Sequence, residues 1–288
     1  MQIKSFCIIV LNIKKTGGFV ALVHIGVIGV GNMAKAILNG IAQDKAYHIW
    51  IYDIDPEKTA AFSGGNLHIA DSLAQLAAQS EYILLAVKPQ NMPDVLAQLG
   101  ECVASQPVYV SIAAGVSTSR IRYLLQSEQA KQAKVVRLMP NTPMLLGYGA
   151  TAACATENVT DAEYAVVARI FEASGLVRRI PESQMDAVTS VNGSSPAYLF
   201  LFAKAVVSFA QENGISADIA NTLFCGTLIG SAKMLMDSGM DADALIKMVS
   251  SPGGTTVEAL RVFEEQGFTE TIRAAMKACA DRAAALGK

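Results

Sequence analysis

Short apolar runs and amphipathic stretches take turns along the first half of the chain. The apolar runs are Val23 to Ile28, His48 to Tyr52, Tyr82 to Val87, Val108 to Ile112 and Lys134 to Leu138. Between them lie stretches with helical spacing near Met33 to Ala42, Pro56 to Phe62, Ser72 to Ala78, Met92 to Leu99 and Ser119 to Leu125, several opened by a polar cap or an early proline. This alternation predicts parallel strands joined by crossover helices, an α/β fold with a doubly wound, mostly parallel sheet. After Pro181 the strand-like runs stop. Met185 to Lys288 is rich in Ala, Leu and Met, broken by Gly214, Gly239 and a Ser-Pro-Gly-Gly turn, which predicts an all-helical C-terminal domain. The expected division is residues 1–22 as an extension, 23–183 as the sheet domain and 184–288 as the helical domain. Pro196 to Gln211 is apolar nearly all round, so that helix is expected to be buried on several sides, with a partner subunit as a candidate cover.

Composition narrows the function. With 288 residues, 52% of them hydrophobic, the chain can build a substantial core. Its net charge of -2 comes from 23 basic and 25 acidic residues mixed along the sequence, which offers no basic stripe for a nucleic-acid backbone. Cys7, Cys102, Cys154, Cys225 and Cys279 are far apart and odd in number, so neither a disulfide framework nor a zinc site is expected, and a reducing cytoplasm fits. The apolar run Phe6 to Leu11 is broken by Asn12, Lys14 and Lys15 and is too short to span a bilayer, so no membrane association is expected.

Gly29-x-Gly31-x-x-Ala34 follows an expected strand and opens an expected helix. In that setting the first glycine permits a tight turn, the second lets a pyrophosphate reach the main chain, and Ala34 permits close helix-to-sheet contact. These residues indicate a Rossmann-type dinucleotide site spanning Ile28, Gly29, Val30, Gly31, Asn32 and Met33. Asp53 ends the second strand, where an acid commonly bonds the adenosine ribose and disfavours a 2′-phosphate. Lys58 is the nearby cation, and a solvated strand-end carboxylate accounts for Asp53 equally well, so NADPH and NADH both stay open. Ala86-Val87-Lys88-Pro89 lies at the carboxyl end of another strand, where open α/β sheets place ligands.

The reacting end is sought in the second half. His24, His48 and His68 all lie in the first domain, which excludes a histidine acid from the helical one. Ser251-Pro252-Gly253-Gly254-Thr255-Thr256 interrupts a helical stretch with a loop rich in main-chain N–H donors, a suitable place for a small anion. Gly193-Ser194-Ser195-Pro196 is expected to open a second helix in the same way, although ordinary capping explains it as well.

Six motifs in order then resemble the pyrroline-5-carboxylate reductase family. They are Ile28 to Ala34, Ala86 to Pro89, Ser111 to Val116, Arg137 to Pro143, Gly193 to Tyr198 and Ser251 to Thr256. The resemblance implies reduction of the cyclic imino acid 1-pyrroline-5-carboxylate to L-proline by hydride from NADPH or NADH. It further implies Lys88, Pro89, Ala113, Ala114 and Gly115 on the nicotinamide and ribose side, Asn141 on the cleft floor, and a homo-oligomer whose paired helical domains build the substrate site. Ser251, Gly253, Gly254, Thr255 and Thr256 are then expected to hold the substrate carboxylate, with the Thr256 hydroxyl facing the ring nitrogen as the catalytic contact. Two rivals remain: a β-hydroxyacid dehydrogenase, whose lysine is poorly matched by Lys204, and a non-catalytic nucleotide sensor, which has no use for a second anion loop.

Overall fold

A computed structural model describes residues 22–60, 62, 64–103, 106–126 and 128–287. Residues 1–21 of the expected extension, Cys7 among them, lie outside the described residues.

Eight strands form one sheet: β1 (Val23–Ile28), β2 (Tyr47–Tyr52), β3 (Leu67–Ile69), β4 (Tyr82–Leu85), β5 (Val108–Ser111), β6 (Lys134–Met139), β7 (Gly149–Ala155) and β8 (Gly175–Arg179). Their order is β3-β2-β1-β4-β5-β6-β7-β8, and every neighbouring pair is parallel except β6 with β7. The linking helices are α1 (Asn32–Ile41), α2 (Pro56–Ala60), α3 (Leu73–Ala78), α4 (Met92–Cys102), α5 (Thr118–Leu124) and α6 (Asp161–Glu172). All five apolar runs are strands, within two residues at each end.

Both faces of the sheet are buried, which is why its central strands read as near-continuous apolar runs. Alternate residues of one strand serve opposite cores. Tyr82 and Leu84 pack with Val27, Ile49, Ile51 and the α1 side chains Ile37 and Ile41, while Ile83 and Leu85 pack with Leu76, Met92, Leu96 and Tyr109. Ile37 and Ile41 are fully buried, each contributing about 1.5–3 kcal/mol. Because β2 and β4 flank β1, the chain reverses direction across the sheet there, and the carboxyl ends of β1 and β4 frame a topological switch point.

Everything described after Pro181 is helical: α7 (Met185–Val188), a π-turn at Thr189–Gly193, then α8 (Ser195–Glu212), α9 (Ala217–Asp237), α10 (Ala242–Met248), α11 (Thr255–Glu265) and α12 (Phe268–Leu286). Within a single chain α8 is largely exposed, with Phe200 68% and Leu201 69% accessible, which leaves its expected burial to a partner subunit. The Gly193 to Pro196 segment is no fresh helix start. Ser194 has helical dihedrals and donates its N–H to the Thr189 carbonyl, so the chain runs from the π-turn into α8 without a free N-terminus.

Candidate active site

The turn after β1 is built by two hydrogen bonds. Gly29 donates its N–H to the Tyr52 carbonyl (2.8 Å), and Ala86 donates to the Ile28 carbonyl (2.9 Å), pulling the carboxyl ends of β1, β2 and β4 together. Gly29 adopts φ +88°, and a Cβ there would sit 2.9 Å from the Ala86 carbonyl oxygen, so this position requires glycine. Gly31 differs: a Cβ there would meet nothing within 4 Å. The space in front of it faces the start of α1, which has no side-chain cap. First-turn N–H groups and the positive end of the helix dipole therefore point into open space, an arrangement that fits the pyrophosphate of a dinucleotide.

A cleft of about 570 Å³ opens beside this turn, within the size range of ligand sites. Ile28, Gly29, Gly31, Asp53, Ala86, Val87 and Lys88 line it, as do Tyr52, Ile54, Lys58, Leu73, Asn91, Asp94, Val95 and Gln98. Asp53 is fixed at its rim. Its Oδ2 accepts the Val30 N–H at 2.7 Å and its Oδ1 accepts the Asp55 N–H at 3.0 Å. Burial works to raise the Asp53 pKa, but those two N–H donors and the Lys58 ammonium together hold it below the ordinary carboxylate value. Val30 is buried, Asn32 is exposed and Met33 is half-buried at the head of α1, and Pro89 begins a single 3₁₀ turn, Pro89–Asn91, after β4.

Ala113, Ala114 and Gly115 form the turn after β5. Ala113 is buried and donates its N–H to Ser111 Oγ at 3.3 Å, and Gly115 has φ +79°. Asn141, expected on the cleft floor, is not among the residues lining this cleft; its Oδ1 accepts the Ala150 N–H and its Nδ2 donates to the Asn192 carbonyl, so it joins β7 to the π-turn. Asn192 completes the tie by donating to the carbonyls of Met139 and Ala150.

The second loop precedes α11. Gly253 takes φ +70°, which only glycine adopts freely, and α11 begins without a side-chain cap. Gly254 donates its N–H to the Ser251 carbonyl at 2.9 Å and is thereby removed from the set of free donors. The N–H groups of Thr255 and Thr256, in the first turn of α11, have no intrahelical acceptor. Ser251 and Thr255 are exposed, and Thr256 is half-buried. None of these residues lines the cleft, all of whose walls lie between Ile28 and Gln98. A single chain thus has two uncapped helix starts, and the loop before α11 takes no part in the walls of the cleft beside α1.

Residues 182–286 match the family model described as pyrroline-5-carboxylate reductase dimerisation, and residues 24–115 match one described as NADP oxidoreductase coenzyme F420-dependent. The pyrroline-5-carboxylate reductase of Escherichia coli is 38% identical over 268 residues, covering 92% of this chain and 98% of its own. The chain belongs to the pyrroline-5-carboxylate reductase family. The Synechocystis reductase is 35% identical over 270 residues, covering 92% of this chain and 99% of its own. Among solved structures, the Coxiella burnetii reductase superposes with a TM-score of 0.82 at 31% identity, covering 93% of this chain and 99% of its own. The Plasmodium falciparum reductase with NADP bound has the same TM-score at 28% identity, with the same coverage.

Membership of the reductase family gives the exposed apolar helices a purpose. Two helical stretches among the described residues, Glu182–Glu212 and Ala217–Asp237, are long and apolar enough to cross a membrane, with little of either buried. The region that matches the family's dimerisation model contains both.

Two groups of residues at the cleft and at the junction of sheet and helices lie outside the sequence expectations. Asn91, Asp94 and Gln98 line the cleft from α4 and the turn before it, and the i, i+4 spacing of Asp94 and Gln98 was the available signal. Arg137 opens the Arg137 to Pro143 motif. It is buried, and its guanidinium meets Asp186 at 2.7 Å and Glu182 at 3.6 Å. Glu182 also accepts hydrogen bonds from the Thr118 N–H (2.7 Å) and hydroxyl (2.6 Å), so one cluster locks the first helical residues to β6 and α5.

Proposed function

We propose that the chain reduces 1-pyrroline-5-carboxylate to L-proline, the last step of proline synthesis, using NADPH or NADH. The observation that carries this reading is the pair of uncapped helix starts, α1 behind Gly31 and α11 behind Gly253. One fits a pyrophosphate and the other a ring-borne carboxylate, and both classes of anion bind at helix N-termini.

When bound, the reduced nicotinamide supplies the hydride that saturates the ring C=N bond. Asn32 and Met33 hold the pyrophosphate through main-chain N–H groups, with Gly29, Val30 and Gly31 shaping the turn. Lys88, Pro89 and the Ala113 to Gly115 turn border the nicotinamide ribose. Ser251 and the N–H groups of Gly253, Thr255 and Thr256 hold the substrate carboxylate, while the Thr256 hydroxyl donates a hydrogen bond to the ring nitrogen. An imine accepts hydride readily once its nitrogen is protonated or hydrogen-bonded, so positioning outweighs strong acid catalysis. The lack of histidine in the helical half is consistent with that. Asn141 acts as a positioning residue, through Ala150 and Asn192.

Because Ser251 to Thr256 stand outside the cleft of their own chain, a second copy brings its loop to the cleft. The working unit is therefore at least a dimer, in the cytoplasm, with neither nucleic acid nor membrane as a partner. The test is a spectrophotometric assay of 1-pyrroline-5-carboxylate with NADH and NADPH separately, beside 3-hydroxy acids with the oxidised cofactors. Turnover of the 3-hydroxy acids with none of the imine would refute the reading.

A further inference from the structure

We propose that Asp53 makes this chain bind NADH in preference to NADPH, by closing the adenosine-ribose end of the cleft to a 2′-phosphate. The inference rests on the dinucleotide site of the proposed function and concerns which of two cofactors that site takes. The Plasmodium falciparum relative has been solved with NADP bound, so the family fold admits the phosphorylated cofactor, and the choice falls to the residues at the end of β2.

Asp53 stands where a Rossmann-type site meets the adenosine ribose. Its side chain is only 8% accessible. The bonds from Val30 and Asp55 fix both of its oxygens, and turning the carboxylate away would orphan two main-chain N–H groups. An ionised carboxylate offers about four acceptor positions, so room remains for a ribose hydroxyl to donate. A 2′-phosphate carries a charge of about -1.5 to -2 and would meet a fixed negative group at the same place.

Lys58 does not relieve this. Its ammonium lies 3.5 Å from Asp53 and 3.5 Å from Asp55, so two carboxylates already share one cation. To serve a phosphate it must leave both, exposing the phosphate to the Asp53 charge it had been balancing. The other cation in the cleft wall, Lys88, follows β4 and so stands on the far side of β1 from β2.

The test is isothermal titration calorimetry of the full-length protein with NADH and with NADPH. NADH is expected to bind at least about tenfold more tightly, the scale of one charge-assisted hydrogen bond gained and one like-charge contact avoided. D53N keeps an oxygen to accept the Val30 N–H and removes the charge, and it should narrow the ratio to about threefold or less. D55N removes the neighbouring charge without touching that bond, should narrow the ratio less, and carries the test if thermal unfolding shows D53N to be misfolded. K58A should leave the ratio as wide or widen it. NADPH binding as tightly as NADH, or a folded D53N variant that keeps the full ratio, would overturn the proposal. Failure of both dinucleotides to bind would overturn the dinucleotide site itself, an outcome distinct from a reversed preference.

Discussion

Gly287, just past the end of α12, backs directly onto the main-chain carbonyl of Gly115, and a Cβ at either glycine would overlap backbone atoms of the other segment. The last helix of the chain is thus seated on the turn after β5, which borders the proposed nicotinamide position. Gly287→Ala should force the two apart, costing about 1–3 kcal/mol as over-packing does. Thermal unfolding checks this, and an unchanged melting temperature would show that the contact yields without cost.

The two glycines of the first turn should respond oppositely to alanine. Gly29→Ala combines φ +88° with a Cβ 2.9 Å from the Ala86 carbonyl oxygen, so it should destabilise the fold by about 1–3 kcal/mol. Gly31→Ala places its methyl in open space and should leave stability within about 0.5 kcal/mol while weakening dinucleotide binding about tenfold or more. Denaturant titration beside calorimetry separates them. Tight binding by Gly31→Ala would remove the pyrophosphate from that position.

Arg137→Leu should destabilise the protein by about 2–3 kcal/mol. Breaking a buried ion pair typically costs about 3–5 kcal/mol, but Glu182 and Asp186 are partly solvated and can be rehydrated, which lowers the figure. Urea unfolding measures it. A neutral result would mean that the cluster contributes nothing net to the junction between sheet and helices.

Thr256→Ala should cut turnover about tenfold or more while the dissociation constants of NADH and NADPH stay within about twofold, since the loop lies outside the dinucleotide cleft. Unchanged kcat would exclude the hydroxyl from the reaction.

Replacing Phe200 and Leu201 together by Glu should dissociate the oligomer, since both side chains are more than two thirds exposed in one chain. Light scattering after size exclusion would show the smaller species, and its activity should fall with it. A fully active monomer would refute a substrate site shared between copies.

The sheet's first half was legible because its strands are apolar runs between capped helices. Ser72 and Ser117 do accept the N–H groups of Gln75 and Arg120 as caps. β3 has only three residues, too short to show a period. β7 is Gly-Ala-Thr-Ala-Ala-Cys-Ala, with one β-branched residue, and it forms because β6 and β8 bury it from both sides, a tertiary effect that propensity does not register. α6 carried a readable signal in the Thr160 and Glu163 capping box. At the site, motif spacing located the glycine turn and the α11 loop. It could not reveal that Asn141 would satisfy its hydrogen bonds within the fold, or that Gly254 would donate to Ser251, because both depend on how distant or turning backbone falls.

The loop before α11 stands apart from the cleft that its own polypeptide forms, so damage to the two can be distributed over different molecules. Chains carrying Gly31→Ala and chains carrying Thr256→Ala, each impaired when pure, should regain activity when unfolded together and refolded as a mixture. In a hybrid pair one catalytic centre inherits both lesions and the other inherits neither.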